Sequence, residues 1–209
     1  MKSELPKKIP VFPLSGVIYF PKTNLPLNIF EKRYLDLVND CMSNNKMMGM
    51  VQSKRETNQV YNVGCLGKII DFKKNDDGRL IINLSGISRF KIIDEINSNK
   101  LYREFNVEYD KFKIDIEENK EVLKKPEINE SLNKIKIFYK RRGLLLNWKE
   151  FEKLSESQKI NTLAMISPIS NEEKQKLLET ITLNEKWNTL SEIIEFYSHD
   201  EKFENSTIQ

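Results

Sequence analysis

The chain changes character near its middle, and this change constrains the fold most strongly. Residues 9–112 hold most of the glycines, four of the seven prolines and most of the short apolar runs, which are typical of β-strands and turns. Beyond them, apolar residues recur at helical spacing. The charged stretch 117–125, followed by Pro126, indicates a junction. We therefore predict an α+β protein with a mainly β domain over residues 1–116 and an α-helical bundle over residues 117–209.

The β half contains a clear hairpin signal. Two apolar runs, residues 65–72 and 79–84, are joined by Asn75-Asp76-Asp77-Gly78, whose Asp-Gly suits positive φ. A small barrel or curled sheet would hide the sheet edges. Further strands are predicted at residues 11–14, 17–20, 25–29, 47–52, 90–96 and 102–109.

One helix interrupts this β region, and proline limits the strands before it. Asn28 is a candidate N-cap residue, with Glu31 three positions on. Apolar residues then recur at helical spacing, and this stripe can plug one end of a barrel. Proline lacks an amide donor, so the proline-containing segments should run along a sheet edge or bend between sheet segments. These prolines are Pro10, Pro13, Pro21 and Pro26.

Helix-start signals punctuate the α half. A first helix is predicted from about Glu127, with Gly143 after its end. Asn147 can cap a short helix that follows. Three capping boxes then predict three further helices. They are Ser155-x-x-Gln158, Ser170-x-x-Glu173 and Thr182-x-x-Glu185.

The chain has too few histidines and cysteines for most known catalytic and metal-binding motifs. His199 is the single histidine, and Cys41 and Cys65 are the two cysteines, which we interpret as buried thiols. No phosphate-binding loop of the form Gly-x-x-x-x-Gly-Lys-[Ser/Thr] occurs. We therefore predict no catalytic residue, no metal site and no cofactor. A hydrolase with an unrecognised site is the remaining enzymatic alternative.

The charge and hydropathy of the sequence indicate where in the cell the protein is located and which classes of partner it binds. Lys and Arg number 34 against 31 Asp and Glu, for a net charge of +3. The basic runs are short and interleaved with acids, which argues against a nucleic-acid partner. No apolar run approaches the roughly 20 residues of a membrane helix. The first ten residues also lack the apolar run of a signal peptide. We therefore expect a cytoplasmic protein that does not enter a membrane.

Bulky apolar residues suggest a binding surface. Tyr19 and Phe20 lie in a run that places large groups on both faces of a predicted strand, and Met48 lies in a methionine-rich strand with flexible thioethers. We hypothesise that Tyr19, Phe20 and Met48 contribute to an exposed surface for extended polypeptide. The alternative is that one barrel face packs inside and the other is covered by the helical bundle.

Seven strings, which begin with IPVFPL at residues 9–14 and end with KQKLLE at residues 174–179, together resemble the N-terminal substrate-recognition domain of Lon proteases, in particular its free-standing bacterial version. The resemblance runs from Ile9 to about Tyr197. Family members often have glycine where this chain has Lys22-Thr23, and histidine where it has Asn28. The similar strings occur in the family's order, and they are residues 9–14 (IPVFPL), 17–21 (VIYFP), 25–34 (LPLNIFEKRY), Val63-Gly64, Asp77-Gly78-Arg79, Gly86-x-x-Arg89-Phe90 and 174–179 (KQKLLE).

The resemblance implies a PUA-like β-barrel followed by a helical bundle. It also implies a non-catalytic module that binds unfolded or degradation-tagged polypeptides, with a protease or chaperone as a further partner. PUA-like domains also occur in RNA-modifying proteins, so an RNA-binding protein is the alternative. For Arg33 and Arg89, we favour binding to carboxylates or carbonyls within the domain over a surface contact with a partner.

Overall fold

The computed structural model describes residues 4–54, 57–117 and 125–206. The chain divides into two compact units, Met1–Asn119 and Lys120–Gln209. The domain boundary predicted after residue 116 lies beside this division and stays a prediction. The first unit contains β1 (Lys8–Leu14), β2 (Asn24–Ile29), α1 (Lys32–Ser43), β3 (Met47–Gln52), β4 (Val63–Lys74), β5 (Leu80–Ile96), β6 (Arg103–Glu108) and a 3-10 turn (Asp110–Asp115).

The strands of the first unit close into a barrel. β5 pairs with β4, β4 with β3, β3 with β1, β1 with β6, and β6 again with β5. The β1–β3 pair is parallel and the others are antiparallel. The first half of β5 also pairs with β2, which lies outside this ring. The α+β fold with a β-barrel and one inserted helix is therefore confirmed.

Proline positions follow the changes of strand partner. Pro10 lies in the part of β1 that pairs with β6, and Pro13 lies in the part that pairs with β3. Val11 is where β1 passes from one partner to the other. Pro26 lies in β2, which in the described residues has β5 as its sole strand partner. Each of these prolines thus lies where the sheet tolerates a missing amide donor.

Two glycines permit close backbone approaches that position the barrel strands. A Cβ atom at Gly64 would lie 2.4 Å from the carbonyl oxygen of Met50, and one at Gly86 would lie 2.4 Å from that of Phe20. Gly86 also donates its N–H to the carbonyl oxygen of Thr23 at 2.9 Å. These contacts explain why Gly64 and Gly86 occur in the strings quoted above.

The strand predicted at residues 17–20 is absent, and this prediction was wrong. Ile18, Tyr19 and Phe20 are all buried. The segment runs irregularly past Gly86 of β5, where the N–H of Lys22 donates to the carbonyl oxygen of Gly86 at 2.9 Å. Burial alone therefore does not indicate a strand in this segment.

The helix start predicted at Asn28 was also wrong. Asn28 is the fifth residue of β2 and pairs with Ile81 of β5. The N-cap residue of α1 is Glu31, which has extended backbone. Strand pairing through Ile29 delays the start of the helix, because the ladder supplies hydrogen bonds that a helix turn would otherwise have to make.

The second unit is helical, as predicted. Asn147 caps α3 by accepting from the N–H of Glu150 at 3.2 Å. All three predicted capping boxes form; Ser170, for example, accepts from the N–H of Glu173 at 3.1 Å and donates its own N–H to the Glu173 carboxylate at 2.8 Å. The helices are α2 (Lys125–Arg141), α3 (Trp148–Glu152), α4 (Glu156–Ile166), α5 (Asn171–Glu179) and α6 (Leu183–Ser206).

Candidate functional site

A cleft of about 650 Å³ lies in the barrel unit. Four separate parts of the chain form it: the end of β1, the junction of β2 and α1, the segment after β3, and the β5–β6 hairpin. Its lining residues are Phe12, Pro13, Leu14, Ser15, Glu31, Arg33, Tyr34, Ser53, Thr57, Asn58, Glu95 and Arg103.

The floor of the cleft is aromatic. The rings of Phe12 and Tyr34 lie 4.0 Å apart between centroids and are tilted by 49°. Both side chains are largely buried, at 7% relative exposure each. Burial is the main cause that raises the pKa of the Tyr34 phenol, and the nearby Arg33 opposes it. The phenol therefore stays protonated at neutral pH, and the floor offers apolar area with one polar group.

One wall of the cleft is fixed by Arg103. Its Nε donates to Glu95 Oε1 at 2.7 Å and its Nη2 to Glu95 Oε2 at 2.6 Å. Its Nη1 donates to the carbonyl oxygen of Asn58 at 2.9 Å. The hydrogen bonds from Arg103 lower the pKa of the Glu95 carboxyl group. All three guanidinium nitrogens of Arg103 are thus engaged, and the pair links the hairpin to the segment after β3.

The opposite pair, Glu31 and Arg33, is less fully bonded. Arg33 Nε and Nη2 both contact the same oxygen, Glu31 Oε2, at 3.0 and 2.8 Å. Within the described chain, Glu31 Oε1 and Arg33 Nη1 have no hydrogen-bond partner. Both side chains are about half exposed, and the guanidinium lies 4.5 Å from the centre of the Tyr34 ring. The pair thus keeps one donor nitrogen and one acceptor oxygen that a ligand could bond to.

A smaller cavity of about 340 Å³ shares Glu95 and Arg103 with the cleft. Tyr102, which also lines it, donates a hydrogen bond to Asp40 of α1. Lys100 Nζ contacts the Tyr102 hydroxyl at 2.7 Å and the Asp40 carboxylate at 3.3 Å. Burial and the bond to Asp40 raise the pKa of Tyr102 to about 12. This network ties α1 to the β5–β6 hairpin next to the cleft.

The predicted binding residues lie in the interior instead. Tyr19, Phe20 and Met48 are 2%, 0% and 0% exposed, so the expectation that they form an exposed surface was wrong. Tyr19 packs close to Gly67, where a Cβ atom would lie 2.9 Å from the Tyr19 ring. The absence of a side chain at Gly67 makes room for that ring, which completes the barrel core rather than a surface.

Sequence reasoning missed the cleft because its walls come from distant positions. Arg33 and Tyr34 lie in a string that is similar to the Lon family, but no local pattern in the sequence distinguishes Glu95 and Arg103 from other charged residues. They come together because β5 and β6 are antiparallel, with Glu95 opposite Phe105. A correct strand register was the signal that could have predicted this contact.

The thiols are placed as the sequence predicts. Cys41 and Cys65 are both buried, and within the described residues neither of them forms a disulfide. Burial raises the pKa of the Cys41 thiol to about 12, and its Sγ donates to the carbonyl oxygen of Met47 at 3.3 Å. In the described ranges, no three or more His, Cys, Asp and Glu side chains group in a way that could hold a metal ion. None of the described helices is long and apolar enough to cross a membrane.

Comparisons with known proteins agree on one family. The family model for the ATP-dependent protease La (LON) substrate-binding domain matches residues 8–195. The Lon protease of Buchnera aphidicola subsp. Schizaphis graminum is 29% identical over 198 residues, which are 90% of this chain and 25% of that protein. The Lon protease of Dictyoglomus thermophilum is 26% identical over 88% of this chain and 24% of that protein. The chain thus spans about a quarter of these relatives.

Solved structures show the same fold. The crystal structure of a Lon N-terminal domain protein from Xanthomonas campestris has a TM-score of 0.67 at 21% identity, covering 88% of this chain and 96% of that one. The N-terminal domain of Lon protease from Mycobacterium avium complex has a TM-score of 0.66 at 16% identity, covering 90% of this chain and 98% of that one.

Proposed function

This chain belongs to the family of LON substrate-binding domains, and on that basis we propose that it is a non-catalytic, cytoplasmic module that binds unfolded or degradation-tagged polypeptides. The family match over residues 8–195 is the observation that carries the proposal. The matched part of the Lon proteases is their substrate-binding domain rather than their ATPase or peptidase. We further propose that a protease or chaperone receives the bound polypeptide.

The cleft supports this proposal physically. Its volume of about 650 Å³ accommodates a short stretch of chain, its floor is aromatic and its walls carry hydrogen-bonding groups. An extended polypeptide presents alternating side chains and unpaired main-chain amides. The aromatic floor can contact its apolar side chains, and the walls can form hydrogen bonds with its main-chain amides. Folded proteins have already paired those amides, so they would be poor ligands.

Binding to a denatured protein tests the proposal. A fluorescein-labelled, reduced and carboxymethylated lysozyme serves as the probe, and fluorescence anisotropy with the full chain measures affinity. We expect saturable binding that native lysozyme does not compete for. Absence of binding would overturn the proposal.

Salt dependence and competition by RNA distinguish polypeptide binding from RNA binding, which is the alternative function. Binding to nucleic acid weakens steeply with salt because counterions are released, whereas binding to an uncharged polypeptide segment does not. We expect the affinity for the denatured probe to change little between low and moderate salt and to resist competition by RNA. Displacement of the probe by RNA, together with a steep salt dependence, would favour an RNA-binding protein.

A further inference from the structure

We propose that Glu31 and Arg33 are the ligand-binding groups of the cleft. They hold the main-chain N–H and C=O of one residue in an extended, uncharged polypeptide segment, and the apolar side chain of that segment lies on the Phe12–Tyr34 floor. This inference rests on the proposed function and adds the site, the contacting residues and the character of the bound segment.

The two arginines of the cleft have different roles because their bonding differs. Arg103 uses all three guanidinium nitrogens on Glu95 and Asn58. Arg33 uses two nitrogens on a single oxygen of Glu31 and retains Nη1. A ligand that displaced Arg103 would leave Glu95 and the Asn58 carbonyl unpaired, whereas a ligand at Arg33 gains bonds without breaking any. Arg33 is therefore the ligand-facing arginine.

The main-chain N–H and C=O of one extended residue match the hydrogen-bonding groups that Arg33 and Glu31 retain. Arg33 Nη1 is a donor and Glu31 Oε1 is an acceptor, and both belong to one ion pair. In an extended chain the N–H and the C=O of one residue point to the same side, so one residue can donate to Glu31 Oε1 and accept from Arg33 Nη1 without displacing the Arg33–Glu31 contact.

The charge of the cleft favours an uncharged segment. Arg33 and Arg103 are balanced by Glu31 and Glu95, and each cation is already paired with its own carboxylate. An acidic residue would have to compete with Glu31 for Arg33, and a basic residue would have to compete with Arg33 for Glu31. A charged residue of the ligand would lose its hydration on entering the cleft and would find no unpaired opposite charge there. A charge in the bound segment therefore weakens binding.

The floor selects the side chain of the bound segment. Phe12 and Tyr34 form a tilted pair of rings, and Leu14 lies beside them in the cleft lining. An apolar or aromatic side chain gains contact area with these rings. A charged side chain would instead lose hydration there, so it would bind less well. The ligand is thus a segment with one bulky apolar residue whose own amide lies within reach of the wall.

A double alanine variant with a matched control tests the assignment. Glu31→Ala/Arg33→Ala removes the ligand-facing pair, and Asp77→Ala/Arg79→Ala removes a pair with the same spacing and similar exposure at the β4–β5 turn. Using the denatured lysozyme probe, we expect the first variant to bind about tenfold more weakly and the control to bind like the unmodified protein. Equal loss in both variants, or no loss in the first, would overturn the assignment.

A conservative variant separates an amide ligand from an acidic one. Arg33→Gln keeps an N–H donor but removes the charge. If Arg33 binds a main-chain carbonyl, Arg33→Gln should retain most of the affinity that Arg33→Ala loses. If Arg33 binds a carboxylate of the ligand, the two variants should lose affinity equally, which would contradict the proposal.

Photocrosslinking locates the bound segment on the probe. A benzophenone amino acid at Ser15, which lines the cleft, should crosslink to lysozyme peptides rich in apolar residues and poor in Asp and Glu. The same group at Asp76 in the β4–β5 turn serves as the control and should give few crosslinks. Crosslinks confined to charged peptides would overturn the proposed specificity. If the unmodified protein fails to bind the probe, the proposed function fails; if it binds but the cleft variants have no effect, the site assignment alone fails.

Discussion

Arg89 and Asp115 form a buried ion pair with two-point contact. Arg89 Nε donates to Asp115 Oδ2 at 2.8 Å and Nη2 donates to Oδ1 at 2.9 Å, while the backbone N–H of Arg89 also donates to Oδ2 at 2.9 Å. The guanidinium lies 4.5 Å from the centre of the Phe112 ring. The pair therefore fixes the 3-10 turn to β5, which is a role within the domain rather than at its surface.

Loss of this pair should be costly. Asp115→Ala removes a carboxylate that accepts three N–H bonds from Arg89, whose side chain is 2% exposed, and we expect a loss of about 3–5 kcal/mol in the free energy of unfolding. Urea denaturation monitored by circular dichroism measures it. Asp77→Ala breaks an exposed pair and should leave the urea midpoint unchanged. A loss below about 1 kcal/mol for Asp115→Ala would show that the pair is not effectively buried.

Tyr19 and Phe20 should respond to substitution in opposite ways. The Tyr19 hydroxyl is buried and has no hydrogen-bond partner in the described chain, so Tyr19→Phe should leave stability unchanged or raise it. Phe20→Ala removes a fully buried ring and should cost about 3–5 kcal/mol. Urea denaturation of both variants measures the difference. Strong destabilisation by Tyr19→Phe would reveal a partner for the hydroxyl, such as a bound water.

The network around Asp40 predicts a pH dependence of stability. The hydrogen bond from Tyr102 is the main cause that lowers the pKa of Asp40 below its usual 3.8. A carboxyl group with a lowered pKa in the folded state stabilises that state above the unfolded pKa and loses this effect as pH falls through the folded pKa. Asp40→Asn should therefore lower Tm at pH 7, and the difference from the unmodified protein should shrink at pH 3 and below. A difference independent of pH would contradict the sign.

The domain boundary remains a prediction that proteolysis tests. The sequence places it between Phe112 and Glu127, where composition changes and Pro126 precedes a helix. Limited trypsin digestion of the full chain should yield two resistant fragments that separate within this interval, identified by mass spectrometry. Early cleavage inside residues 128–138, with the interval left intact, would show that the segmentation is wrong.

The sequence predictions were correct where a structure depends on residues close together in the chain, and wrong where it depends on distant segments. Helix starts at Ser155, Ser170 and Thr182 were predicted because each cap is completed by a residue three positions away. The start of α1 was misplaced because β5, a distant segment, pairs with Asn28. The strand at residues 17–20 was wrong for a similar reason, since contact with Gly86 decides its course.

The cleft could not be predicted from local sequence patterns, because contacts between distant segments form it. Its fixed wall requires β5 and β6 to lie in a particular register and the carbonyl of Asn58 to face Arg103. Apolar character alone also misled: Tyr19, Phe20 and Met48 are bulky, but bulk does not distinguish a core residue from an interface residue. The floor residues Phe12 and Tyr34 are equally apolar and differ only in what surrounds them.

The closed ring of strands affects how the protein folds as it is synthesised. β1 leaves the ribosome first, yet it pairs with β6, the last strand of the unit, and Ile9 and Val11 are buried against Phe105 and Val107. The side of these residues that faces Phe105 and Val107 stays uncovered until β6 has emerged, because pairings between distant segments form slowly and late. The ring of strands can therefore close only after β6 has emerged, and until then the nascent chain is itself an unfolded polypeptide with exposed apolar residues.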